Sequence, residues 1–374
     1  MNVVMMHSIG NNESAWSQRW LSISVNHFEN FCRYLVKNNY EALFLDDWYR
    51  LQDSPELIHD KQIVLTLDDG YLDNWVYAFP LLKKYKLKAT IFINPEFVDK
   101  GEIKRLNSED VLKNKVNKDK LKTLGFLNWE EIKYMNTTEF IDIQSHSMTH
   151  NYYFKSDKII DFYRGQDEYH WLDWIINSDQ KPYWLNKDLS KSIPYGYPIF
   201  EFGRALGLRR FNPSNTFIHS YLSEYEKYRT SPTNIVEGKL EIFSQKFKRN
   251  NLNFGDFESE EEQKARYTYE LLESKNIIEK KLMKETNFLC WPGGGYNDLS
   301  INISKSVGYK ASTVASSDQS STFNNKSKYK RIKRFGLGSF TFINGNFIYN
   351  TEKNHLVHLY KSKCGDFVYD NIMR

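Results

Sequence analysis

The chain has 374 residues, with 51 Lys plus Arg against 47 Asp plus Glu and a formal net charge of +4. That length can bury one large core or two ordinary ones. The balanced charge gives no support to nucleic-acid binding, which draws on a clustered basic face, so no nucleic-acid partner is expected. Three cysteines, Cys32, Cys290 and Cys364, fit neither a zinc motif nor an even disulfide set, so a reducing compartment is expected.

In chain order, MNVVMMHSIGNNES opens with a short apolar run that ends in polar residues, a strand followed by a loop. It lacks a basic flank and a long apolar stretch, so the expectation is a cytoplasmic protein with no transmembrane segment. Val25 to Asn38 places Phe28, Phe31, Cys32, Leu35 and Val36 at helical spacing, with Ser24 as N-cap. EALFL is a strand and DDWYRL starts a helix or turn; IVLTL is the next strand. Trp75 to Tyr85 reads as a helix, ATIFI as a strand ended by Asn94-Pro95, and Trp129 to Met135 as a short helix opened by Asn128. FIDIQSH is a strand that ends at a histidine. Strands alternating with helices imply parallel strands in an α/β layered or barrel fold.

The alternation stops over residues 152–285, which read as an insertion of aromatic-rich loops plus a long helix. Residues 183–220 hold Pro194, Pro198 and Pro213 and read as irregular. Residues 258–285 form the strongest helix, acidic at its start and basic at its end, which complements the helix dipole. Strand and helix signals resume with NFLCW, a glycine loop PGGGYND, and ISKSVGYKAST. The division expected is therefore a barrel from 1–151 and 286–374 with the insertion between.

Two features carry chemistry. In TLDDGYLDN, Asp68 and Asp69 follow a strand and precede a glycine; in parallel α/β folds that position is where functional groups gather. A plain Asp-Gly turn with two solvated acids is the alternative. In SHSMTH, His146 and His150 also follow a strand. Two neutral imidazoles and one carboxylate suit a divalent ion with positions left for water. The second carboxylate is then left to face that water as a general base.

LTLDDGYLDNW…AFPLLKKYKLKATIFI resembles the first motif of the polysaccharide deacetylases (NodB-like, carbohydrate esterase family 4), and SHSMTH is similar to that family's His-Ser/Thr-x-x-His motif. The resemblance covers residues 1–151 and about 286–320. It implies a distorted parallel (β/α) barrel of about seven strands. It also implies Asp68 as general base and Asp69, His146 and His150 as ligands of one divalent metal, zinc for this donor set. The implied reaction is removal of an acetyl group from an N-acetyl sugar, within surface polysaccharide or glycoconjugate biosynthesis.

For the general acid, NHLVHLY offers His355 and His358. MMHSIG resembles the start of the poly-N-acetylglucosamine deacetylase branch and offers His7, which is the favoured choice. The family's Arg-x-Pro motif is replaced by CWPGGGYND, with Cys290 where an arginine would orient the base. Trp291, Gly294 and Tyr296 are expected to bind substrate, with the run Gly293-Gly294-Gly295 letting the backbone approach it and offer an N–H to an oxyanion. Trp16 and Trp129 are further sugar-platform candidates, Asp73 and Asn74 could support the site, and Tyr195, Tyr197, Arg204, Arg209 and Arg210 could meet a charged substrate. The missing arginine motivates a rival reading, a catalytically inactive carbohydrate-binding protein on this scaffold; a metal-dependent hydrolase of another amide is a third.

Overall fold

IVLTL and ATIFI are unbroken apolar runs, the pattern of strands covered on both faces. In the computed structural model both are fully buried, as Gln62–Leu67 and Ala89–Ile93. Residues 1–10, 18–187, 192–250, 252–314, 328–343 and 346–365 are described. Eleven strands matter for the site: β1 (Asn2–Met6), β2 (Glu41–Leu43), β3 (Gln62–Leu67), β4 (Ala89–Ile93), β5 (Ile141–Ser145), β6 (Tyr152–Phe162), β7 (Pro198–Arg204), β8 (Phe288–Leu289), β9 (Ala311–Thr313), β10 (Lys330–Ile332) and β11 (Phe335–Gly336).

Nine of these form one sheet in the order β10-β9-β8-β5-β4-β3-β1-β11, with β2 also pairing β3. Every pairing in it is parallel. The two outermost strands, β10 and β11, are consecutive in the chain and separated only by Lys333 and Arg334. Three peptide units span at most ~11 Å, so the sheet must curl until its edges nearly meet. The result is a distorted (β/α) barrel. It has two strands more than the seven or so expected, because β10 and β11 are too short and too basic in their surroundings to read as strands.

Local sequence explains the connecting helices. Ser24 caps helix Val25–Lys37 by accepting from the His27 N–H at 3.1 Å. Asn128 and Glu131 cap helix Trp129–Asn136 reciprocally. Phe28, Phe31, Leu35, Leu65, Ile91 and Ile143 are among the fully buried residues of the main core.

Residues 183–220 are more regular than the prolines imply. Pro198 opens β7, which pairs antiparallel with β6 in the register Tyr152↔Arg204, and Asn215–Tyr228 is a helix that packs on helix Thr233–Arg249. Prolines at strand starts and before helices are compatible with both elements. These elements share an aromatic core that includes Trp171, Phe200, Phe217 and Tyr221. The expected long helix runs from Glu260 to Leu282, with a π-turn at Tyr269–Glu273. It packs on β5 and on helix Trp129–Asn136, and Ile278 enters the main core. After β11 come an antiparallel hairpin, Phe340–Ile343 with Asn346–Tyr349, and helix His355–Lys363, which packs on Val25–Lys37.

Candidate active site

Asp68 and Asp69 stand just past the end of β3, where the backbone leaves the sheet. Asp68 keeps strand pairing, its N–H donating to the Met6 carbonyl at 2.9 Å. Asp69 turns into the left-handed region, φ 73°, which a non-glycine residue adopts rarely and which clusters at functional sites. That turn makes the two neighbouring side chains diverge.

Asp68 is buried and bonded to Arg334. The guanidinium donates through Nη1 to Oδ1 at 2.7 Å and through Nη2 to Oδ2 at 2.8 Å. Nη1 also donates to Thr66 Oγ1 at 2.9 Å, and Nη2 lies 2.9 Å from Cys290 Sγ. Burial would raise the Asp68 carboxyl, but the charge and hydrogen bonds of Arg334 hold it below the ordinary value. Arg334 comes from the two-residue link between β10 and β11, at the barrel seam. Cys290 stands where the motif arginine would orient Asp68, and Arg334 reaches the same carboxylate from a different strand end. Cys290 is fully buried beside it, its Sγ 3.3 Å from Asp68 Oδ2.

Asp69 faces two histidines. Its Oδ1 lies 3.1 Å from His146 Nε2 and 3.3 Å from His150 Nε2. That oxygen is buried and makes no hydrogen bond of good geometry. His146 Nδ1 donates to the Cys290 carbonyl at 2.9 Å, which fixes the ring and leaves Nε2 toward Asp69. Burial pushes His150 down to about 4, so its imidazole is neutral and free to act as a ligand. Burial opposes ionisation of Asp69, yet the two imidazoles hold its carboxyl well below the ordinary value. One carboxylate oxygen and two imidazole nitrogens within 4.8 Å of one another fit a divalent ion. Asp68, His146 and Cys290 form an overlapping group, but the guanidinium already bonded to Asp68 and close to Cys290 disfavours a cation there.

The loop that carries the histidines is held from the long helix. Glu270 accepts from the N–H groups of Met148 and Thr149 at 3.2 and 3.0 Å and from the Thr149 hydroxyl. Lys181 donates to the Thr149 carbonyl at 3.0 Å and pairs with Glu96 at 2.5 Å.

A cleft of about 790 Å³ opens above these groups. His7, just beyond β1, lines it, and Asn74 Nδ2 donates to the His7 carbonyl at 2.9 Å. Asp73 does not cap a helix; it accepts from the Ser8 hydroxyl. His358 is not among the lining residues: it lies on helix His355–Lys363, 3.1 Å from Glu352. His355 is buried near His27, with ring centroids 5.9 Å apart.

The expected substrate binders fare unequally. Trp291 lines the cleft but is 1% exposed, so it forms floor rather than an open platform. Gly294 lines the cleft too, but its N–H donates to the Trp291 carbonyl at 2.9 Å and is therefore not available to an oxyanion. Tyr296 does not line it; its ring packs 5.6 Å from Trp291 and beneath Arg331. Trp129 packs against the main core, and Trp16 falls outside the described residues. Of the five insertion residues singled out, only Arg204 lines the cleft. Tyr195 is 60% exposed, Arg209 donates to the Glu258 carbonyl at 2.5 Å, and Arg210 lies over the Tyr153 ring.

Comparison with known proteins is consistent with this geometry. The family profile described as polysaccharide deacetylase matches residues 58–178. YxkH of Bacillus subtilis is 34% identical over 91 residues, which is 24% of this chain and 30% of YxkH. Poly-beta-1,6-N-acetyl-D-glucosamine N-deacetylase of Escherichia coli K12 is 21% identical over 140 residues, 37% of this chain and 20% of that enzyme. The chain thus spans less than a third of the length of these relatives. In fold it is similar to the BpsB deacetylase domain of Bordetella bronchiseptica, with a TM-score of 0.52 at 14% identity over 90% of this chain and 95% of that one. A de-N-acetylase of Aggregatibacter actinomycetemcomitans gives a TM-score of 0.51 at 15% identity, covering 92% and 97%. The carboxylate pair and both histidines lie within residues 58–178, the part of the chain that is similar to the polysaccharide deacetylase profile.

Proposed function

We propose that the protein is a metal-dependent hydrolase that removes the acetyl group from an N-acetyl sugar, in the assembly of a surface polysaccharide or glycoconjugate. The observation that carries this reading is the convergence of Asp69, His146 and His150 beside a separately held carboxylate, Asp68, on the floor of one cleft. Asp69, His146 and His150 would hold the ion, with zinc the natural choice for one oxygen and two nitrogen donors. When bound, the ion acts as a Lewis acid on the acetyl carbonyl and lowers the pKa of a water.

The chain's own groups do the rest. Asp68 takes a proton from the attacking water, and its bidentate bond to Arg334 fixes which way its free lone pairs face. His7 hands a proton to the departing nitrogen, which leaves as an amine while acetate remains. His7 is preferred over His358 because only His7 borders the cleft. The absent motif arginine, which favoured an inactive scaffold, loses its weight once Arg334 occupies that role. The test is purified protein assayed for zinc content and for acetate release from N-acetylglucosamine oligomers. Stoichiometric zinc with zinc-dependent acetate release supports the reading; no bound divalent ion and no acetate from any N-acetyl sugar overturns it.

A further inference from the structure

Two arginines, Arg204 and Arg334, line the cleft. Arg334 bonds Asp68, Arg105 bonds Glu131 at 2.6 Å, and Arg266 bonds Glu258 at 2.5 Å. Arg204 lines the cleft, and among the described residues its guanidinium makes no hydrogen bond and no ion pair. Asp69, Asp167 and Glu168 also line the cleft; the charge of Asp69 acts on Arg204 through space, but none of the three forms an ion pair with it. A guanidinium presents five donors in a planar fork and matches carboxylate or phosphate. One left without a protein acceptor in a cleft wall is equipped to take an acceptor from a ligand.

Its position is built rather than incidental. Arg204 is the last residue of β7 and sits opposite Tyr152 in the hairpin register, two residues after His150. The guanidinium lies over the Tyr152 ring at 3.9 Å. The other side is closed by the glycine loop. A Cβ at Gly293 would fall 2.1 Å from Arg204 Nε, and a Cβ at Gly295 would fall 2.1 Å from Arg204 Cβ. Gly293 also has φ 52°, a conformation that a side chain would strain. The PGGGY run therefore leaves room for this arginine, and Tyr152 holds it flat.

We infer that Arg204 receives an oxyanion carried by the substrate itself, a carboxylate or a phosphate, so that the sugar deacetylated is an acidic one. This rests on the deacetylase reading above. The alternative use of Arg204, on the acetyl group that every substrate shares, predicts no preference for charge.

The experiment is isothermal titration of the zinc-loaded full chain with three probes: N-acetylglucosamine, its 1-phosphate, and the corresponding N-acetylated uronic acid. We expect one or both acidic probes to bind at least about tenfold more tightly than the neutral one; which of them does so separates phosphate from carboxylate. Arg204→Gln should abolish that preference with zinc content unchanged. Arg204→Lys should restore part of it, and Gly293→Ala should weaken it by displacing the guanidinium. Equal binding of all three probes to the wild type, or a preference that survives in Arg204→Gln, overturns the proposal. So does a loss in Arg204→Gln that is equal for neutral and acidic probes. If Arg204→Gln does not fold, Arg204→Lys and Gly293→Ala decide by the same criterion. Acetate release is followed in parallel. Acid-selective binding without acetate release would defeat the deacetylase reading alone, whereas acetate release with no acid preference would defeat this one alone.

Discussion

Two carboxylates joined by one peptide bond and both withdrawn from water would each tend to hold a proton unless something countered the charge. Here the counter-groups differ, a guanidinium for Asp68 and two imidazoles for Asp69. Different partners predict different losses. Asp69→Ala should lose zinc on dialysis, read by metal analysis. Asp68→Asn should keep zinc and lose turnover by about 10²–10⁴-fold, the usual scale of general-base catalysis; near-normal rates would contradict the assignment. Asp68 must be ionised to accept a proton, so the rate falls as pH drops through its pKa. Arg334 keeps that pKa below the ordinary value, and without it burial is the dominant influence and raises it. Arg334→Met should therefore move the acidic limb of the kcat/KM profile to higher pH. Arg334→Lys, which keeps charge but not the fork, should move it less while lowering the rate about tenfold. An unmoved limb in Arg334→Met would contradict the role. Neither partner was equally visible beforehand. The histidines follow a strand at a regular spacing. Arg334 lies 266 residues from Asp68, in the run KYKRIKRF, where one basic residue cannot be told from the others until strand order is known.

Elements show the same division. The parallel strands were legible because a strand buried on both faces needs an unbroken apolar run, which IVLTL and ATIFI supply. The helix caps were legible because Ser24 and Asn128 have a local function. Of the insertion only the long helix was; the hairpin and the helices before it are fixed by aromatic packing between distant segments such as Phe200 and Phe217, which leaves no simple period. Glu270 was hidden for another reason: an acid within ESEEEQKARYTYELLESK reads as one more exposed charge. It instead holds the histidine loop by three hydrogen bonds. Glu270→Ala would leave two amides unpaired, at about 1–3 kcal/mol each, and would loosen the ligands. We expect a lower melting temperature and zinc affinity reduced about tenfold, with Glu270→Gln intermediate. Calorimetry and a chelator competition would measure both.

Over the whole molecule, the ion's three donors come from two strand ends, β3 and β5, so the ion would tie neighbouring parts of the sheet together. Ligand bound only to the folded state stabilises by about 2.7 kcal/mol at one hundred times Kd. Removal of zinc by chelation should thus lower the melting temperature by about 3 °C, and re-addition should restore it. An unchanged melting curve would argue against an ion at this site. The barrel seam has a separate consequence. The proposed ligands of the ion are all present by residue 150, but the group proposed to aim the base arrives with residue 334, on the link that joins the two edges of the sheet. During synthesis the donors are thus on the chain before the groups that hold them, Glu270 and the Cys290 carbonyl, and these in turn come before Arg334. On the proposed mechanism, readiness to hydrolyse is in this sense a report that the barrel has closed.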